Sequence, residues 1–81
     1  MTTTLDDSLP ATEESIAQLW GLLVGQRYDQ MSQAEMGRQL GITAPGVCKM
    51  ESRPKAPFLH TIQRYAAILG YEVRITLRKR P

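Results

Sequence analysis

The sequence predicts a mainly helical domain of four to five helices, centred on a helix-turn-helix and followed by one C-terminal β-strand that pairs across a homodimer. Three observations carry that prediction. Residues 32 to 53 read as two short helices joined by a tight, glycine-containing turn. Apolar residues recur at helical spacing on either side of that stretch, in Ile16, Leu19, Trp20 and Leu23 and again in Leu59, Ile62, Ala66 and Leu69. From Tyr71 to Leu77 the period shortens to every second residue, as a half-buried strand requires.

At 81 residues the chain is sized for one domain. Three segments are expected: residues 1–11, a helical body over 12–70, and a strand with a basic tail over 71–81. The first segment is Thr-rich and acidic and reads as flexible, as chain ends usually are; ordering on a partner is the alternative. Thr12 can cap the first helix, with Glu13 and Glu14 in a first turn whose dipole favours acids. Leu22, Val24 and Ala17 widen that helix's apolar stripe to roughly 220°, where one-sided packing needs only about 100°. The excess predicts burial on a second side, by another subunit or by the chain itself. Arg27 falls inside the stripe, where a charge needs a partner. Glu51, on the inner edge of the third helix, is the candidate, and a phosphate contact is the alternative.

Ser32 with Glu35 fits the S-x-x-E capping box that opens a helix. Met36 and Leu40 supply its stripe, and Gly41 can take the positive φ that ends it. Ile42 is expected to plug the corner and Thr43 to cap the third helix. Val47 and Met50 then face inward one turn apart, leaving Pro45, Cys48, Lys49 and Ser52 pointing outward. Pro54-Lys55-Ala56-Pro57 forms a rigid loop. The fourth helix runs roughly from Phe58 to Leu69, with Tyr65 beside its apolar face and Gly70 as its stop. His60, the only histidine, has no second His and no nearby Cys and so cannot build a metal site. It reads as a surface residue, with phosphate contact as the alternative.

In the terminal strand Tyr71, Val73, Ile75 and Leu77 alternate with Glu72, Arg74 and Thr76. A strand's backbone groups need a ladder partner, and no second strong strand stands out. Pairing with the same strand of a second copy across a two-fold axis is the simplest resolution. It makes Tyr71, Val73, Ile75 and Leu77 the candidate dimerisation residues. Pairing with Thr2 to Leu5 is the lesser alternative. A chain this short buries only about 60% of its unfolded surface, so a second copy would also add stability. Arg78-Lys79-Arg80 reads as a solvated basic tail.

Charge is unevenly distributed. Asp6, Asp7, Glu13 and Glu14 precede Arg27, and no Lys or Arg does. All ten basic residues lie from Arg27 onward, against Asp29, Glu35, Glu51 and Glu72. A body that binds a polyanion, behind an acidic leader, is the functional reading. No apolar run approaches the ~18 residues of a membrane span, and the N-terminus lacks the pattern of a signal peptide. One cysteine cannot form an internal disulfide, which suits a reducing compartment. A cytoplasmic protein without a membrane partner is therefore expected. No Ser-His-Asp set, metal-ligand cluster or phosphate-cradling glycine loop is present, so neither an enzyme nor a cofactor is expected.

Residues 27 to 70 resemble the lambda-repressor-like, XRE-type helix-turn-helix family. The resemblance rests on Ser32-Gln33-Ala34-Glu35, Leu40-Gly41-Ile42-Thr43, Pro45, Val47, Lys49, Glu51 and Ala67-Ile68-Leu69-Gly70, in that order and spacing. It implies the pairing of Arg27 with Glu51, a phosphate anchor at Gln33, and a third helix that enters the major groove with its N-terminal residues toward base edges. Ala44, Pro45 and Gly46 are small and permit close approach and contact with a thymine methyl, but no bidentate hydrogen bonds. Family members usually carry Gln where this chain has Ala44 and Ser where it has Cys48. Readout then shifts to Lys49, Ser52, Arg53 and DNA shape. Thr43, Arg53 and Lys55 are further phosphate candidates, and Cys48 is a small filler or a redox-sensitive thiol.

The expected function is a homodimeric, sequence-specific transcriptional repressor on a palindromic operator in double-stranded DNA. A helix-turn-helix of this size followed by one strand resembles antitoxins of the HigA and HipB kind, which repress their own operon and bind a toxin. A phage or operon regulator without a toxin is the near alternative. A protein-interaction module with weakened DNA binding is the other.

Overall fold

The computed structural model describes residues 2–5 and 13–75. The order is β1 (Thr2–Leu5), α1 (Glu13–Gln30), α2 (Gln33–Leu40), α3 (Ala44–Ser52), α4 (Leu59–Ile68) and β2 (Glu72–Ile75). The expected Thr12 cap, the acids Asp6 and Asp7, Leu77 and the tail Arg78-Lys79-Arg80 lie outside the described residues. The described residues are mainly helical and form four helices.

Local chemistry sets the ends of the central helices. Ser32 adopts an extended backbone, and its hydroxyl oxygen accepts the Glu35 N–H at 3.1 Å, which opens α2. The Glu35 side chain does not close the expected reciprocal box. It pairs with Arg38 at 2.7 Å and accepts from Gln39, because a cation is the stronger donor. The Arg38 hydrogen bond is also the main reason that the Glu35 carboxyl is held down at about 2. Gly41 closes α2 with φ of 79°, and the following Ile42 N–H bonds back to the Gly37 carbonyl. Thr43 repeats the cap for α3, accepting from the Gly46 N–H at 3.1 Å.

The core collects one face of each helix: Leu19, Trp20 and Leu23 from α1, Met36 and Leu40 from α2, Val47 from α3, and Ile62, Tyr65 and Ala66 from α4, joined by Leu69 and Val73. Trp20 and Tyr65 meet with ring centroids 4.5 Å apart at 59°, a favourable tilted arrangement. Two expectations need correction. Ile42 does not plug the corner but is 44% exposed, with its side chain beside Gly46. Tyr65 lies at the centre of the α4 face rather than beside it, and Leu59 is 43% exposed. Among the described residues the chain itself does not cover the second side of the broad α1 stripe: Leu22 and Ala17 are exposed and only Val24 at its edge packs on the core, which leaves burial by another subunit as the expectation.

The ladder partner of β2 within the chain is β1. The two strands are parallel, with Thr2 opposite Glu72 and Leu5 opposite Ile75. Thr2–Leu5 belongs to the leader expected to be flexible, yet its three threonines suit an extended backbone, and β2 presents unpaired groups beside it. This is the arrangement expected as the lesser alternative to pairing between copies. Val73 packs into the chain's own core and Tyr71 packs against it. These two candidate dimerisation side chains are therefore already engaged.

Candidate nucleic-acid interface

The α2-turn-α3 unit is held together by an unusually close backbone approach. A Cβ built on Gly37 would lie 2.7 Å from the Ile42 carbonyl oxygen and 3.1 Å from the Thr43 carbonyl carbon. Only glycine lets the turn sit that close to α2, and this sets the angle at which α3 leaves it. The inner face of α3 is then anchored by Val47, which is fully buried, and by half-buried Met50 packed on the core.

The last turn of α3 is anchored by charge. Arg27, 7% exposed, donates to the Glu51 carboxylate from Nε to Oε2 at 2.9 Å and from Nη2 to Oε1 at 2.7 Å. The expected partner of Arg27 is thus the observed one. Two further donors were not evident from spacing. The Tyr65 hydroxyl donates to Oε2 at 2.6 Å, and Gln33 Nε2 donates to Oε1 at 3.1 Å. Arg27 also donates through Nη1 to the Met31 carbonyl at 3.2 Å, which ties down the α1–α2 connection. A signal for Tyr65 does exist in the sequence. A tyrosine one turn from Ile62 on a core face needs a hydroxyl partner, and Glu51 needs donors. Burial pushes the Glu51 carboxyl up, but hydrogen bonds from Arg27, Tyr65 and Gln33 outweigh it and leave the group below its ordinary value. Burial, then the neighbouring Glu51 carboxylate, raise the Tyr65 hydroxyl, which therefore stays protonated and donating.

The outward face of α3 carries the expected candidates. Pro45, Cys48, Lys49, Ser52 and Arg53 are exposed, while Ala44 and Gly46 are half-buried at its start. Among the described residues Lys49 and Arg53 form no ion pair, so both cations are open to an external anion. Ser52 is less open than expected, because its hydroxyl donates to the Cys48 carbonyl at 2.7 Å. Thr43 uses one acceptor position for its cap and keeps its hydroxyl hydrogen. Gln33 is half-buried with one amide N–H committed to Glu51, and Lys55 is exposed in the loop after α3. A cleft of about 390 Å³ runs between α3 and the start of α4, with Lys49, Arg53, Phe58 and Thr61 on its walls. Phe58 is 80% exposed and stacks on His60 at 6.1 Å. This part of the surface was not singled out from the sequence.

Among the described residues no group of His, Cys, Asp and Glu is placed to hold a metal ion, and no helix is long and apolar enough to cross a membrane. The arrangement presents an anchored helix with a small, apolar leading end and, at Lys49 and the C-cap Arg53, two cations that form no ion pair among the described residues. Such a surface can approach a polyanion closely.

Comparison with known proteins adds one likeness. The chain is 34% identical over 74 residues to the antitoxin HigA1 of Mycobacterium tuberculosis, in strains CDC 1551 / Oshkosh and ATCC 25618 / H37Rv. The match covers 91% of this chain and 47% of each relative, so the chain spans about half the length of the curated relatives it matches. No protein-family model matches the chain, and no solved structure matches it.

Proposed function

We propose that this protein is a sequence-specific DNA-binding repressor and the antitoxin of a toxin–antitoxin operon, acting on its own promoter as a homodimer. The observation that carries the DNA reading is the outward face of α3. It is exposed, Lys49 and the C-cap Arg53 form no ion pair among the described residues, and Val47, Met50 and Glu51 fix its inner face to the core. As the second helix of a helix-turn-helix, α3 would lie in the major groove with Ala44, Pro45 and Gly46 toward base edges and Lys49 reaching a base or phosphate. Gln33, Thr43, Arg53 and Lys55 would hold phosphates and fix the register. The antitoxin reading is supported by the relatives named antitoxin HigA1 and implies a toxin partner. Two copies would place their α3 helices about 34 Å apart on a palindromic site. Val73 and Tyr71 face the chain's own core, so a strand-mediated dimer would join through the backbone edge of β2 away from β1.

The test is a gel-shift titration on duplex DNA from immediately upstream of the protein's own gene. Binding is expected to exceed that to random duplex of equal length and to weaken steeply between 50 and 200 mM salt. Lys49→Ala is expected to cost roughly tenfold in specific affinity, the scale of about 1–3 kcal/mol for a good base contact, with an unchanged unfolding midpoint. Equal affinity for random and upstream DNA would remove the repressor reading. The second reading, a protein-interaction module with little DNA specificity, draws on the apolar Ala44-Pro45-Gly46 end of α3 and the internally bonded Ser52. It predicts that same equality, together with retention of a neighbouring gene's product on the purified protein.

A further inference from the structure

The Glu51 carboxylate sits where all four helices meet. Its two oxygens accept from Arg27 on α1, Gln33 on α2 and Tyr65 on α4, and Glu51 itself belongs to α3. A carboxylate has about four acceptor positions, and here each is taken, two on each oxygen. Arg27 grips it along one edge through two parallel bonds. Tyr65 completes Oε2, so the carboxylate cannot swing about that edge without breaking a short hydrogen bond. The remaining position, on Oε1, holds the Gln33 amide. Gln33 is the first residue of α2 and only half-buried. One of its N–H groups is spent on Glu51, which leaves the other N–H and the amide oxygen at the helix start, where backbone N–H groups also await an acceptor. A glutamine side chain otherwise samples many rotamers, and an anion contact would have to order it.

We infer that Tyr65 is a positioning residue for DNA binding: its hydroxyl, acting through the Glu51 carboxylate, holds the Gln33 amide in the orientation that receives a DNA phosphate. This rests on the DNA-binding reading above. Tyr65 itself is fully buried and touches no DNA. The mechanism is pre-organisation. The ordering of Gln33 is completed on folding and is not repeated on binding. Because the same carboxylate belongs to the last turn of α3, the phosphate anchor and the base-reading helix are held in one register.

The experiment is a double-mutant cycle with Tyr65→Phe and Gln33→Ala, using duplex from the protein's own upstream region at several salt concentrations. Tyr65→Phe keeps the ring against Trp20 and removes only the hydroxyl. It is expected to weaken specific binding about fivefold in the natural protein and by nothing further in the Gln33→Ala background, as for residues that act through each other. Both single variants should weaken binding by the same factor at every salt concentration, because an uncharged amide on a phosphate releases no counterion. The same factor for Tyr65→Phe in both backgrounds, or a changed salt slope, overturns the inference. In the free natural protein the Gln33 side-chain amide nitrogen should relax like the rigid backbone, with an NMR order parameter of about 0.85. A mobile amide, below about 0.6, overturns the inference even where Tyr65→Phe fails to fold. Absence of specific binding by the natural protein overturns the DNA reading and the inference together, whereas specific binding with no cycle coupling overturns the inference alone.

Discussion

Replacing Arg27 with Met is expected to lower folding stability by about 3–5 kcal/mol, the usual result of stripping one partner from a buried ion pair. The side chains of Arg27 and Glu51 are 9% and 6% exposed, so water cannot substitute for the lost guanidinium. The variant keeps the apolar stem of Arg27 and removes two hydrogen bonds to Glu51 and one to the Met31 carbonyl. Urea denaturation at neutral pH should show the midpoint fall without a change in slope. The pH dependence identifies the cause. In the natural protein the Glu51 carboxyl is held below its ordinary value, so its contribution is present at neutral pH and is lost as the pH falls through that lowered value. In Arg27→Met the burial that opposes ionisation is no longer offset by the guanidinium, so acidification toward pH 4 should narrow the gap between the two proteins. A gap that widens on acidification would show that the pair is not what Arg27 contributes. The double variant Arg27→Met with Glu51→Leu should recover part of the loss, since a buried pair and an apolar pair are often equivalent. Tyr65 and Gln33 would still be left without their acceptor.

The second large effect is expected at Gly37. Gly37→Ala puts a methyl group 2.7 Å from the Ile42 carbonyl oxygen and 3.2 Å from that of Thr43. Both are backbone atoms, so no rotamer change relieves the contact, and the turn with α3 has to move. Overpacking of this kind costs about 1–3 kcal/mol, against a helix-propensity gain of up to about 1 kcal/mol from replacing glycine. Thermal unfolding should fall by about 4–8 °C for each net kcal/mol in a domain of this size. The matched control is Gly21→Ala on α1, where nothing lies within 4 Å of the added Cβ. That variant should be neutral or stabilising. If both substitutions behave alike, the close approach of turn and helix does not hold the unit together. If Gly37→Ala folds but loses specific DNA binding, the angle of α3 is what the glycine protects.

Most of the framework was legible along the chain because it depends on neighbours in sequence. Ser32 and Thr43 act three residues ahead of the N–H groups they cap, and Gly41 acts within the turn it closes. The Arg27 partner could also be identified, since a charge inside an apolar stripe must be met by an opposite one on a facing element. The misreadings concern faces rather than elements. A helical wheel places Leu59 on an apolar stripe, but it carries no information on where the opposing element ends. The small outward residues of α3 were legible as types. That Ser52 spends its hydroxyl on the Cys48 carbonyl was not, because a serine near a helix end has several equivalent partners.

The sequence alone indicated four to five helices, the capped turn between α2 and α3, the Arg27–Glu51 pair, and the small, apolar start of the third helix. Each of these follows from spacing, capping chemistry or the need to neutralise a buried charge. Tertiary structure alone decided three other features. Thr2–Leu5, a segment too short to be convincing by itself, became the partner of β2 because that strand's backbone groups lay open beside it. The Ile42 side chain lies beside Gly46 and stays 44% exposed instead of entering the core. Gln33 and Tyr65 joined Arg27 on one carboxylate because residues 32 positions apart in sequence were brought within hydrogen-bonding reach of Glu51. Hydrogen bonds of that kind depend on ångström-scale distances between elements, which only packing of the whole core establishes.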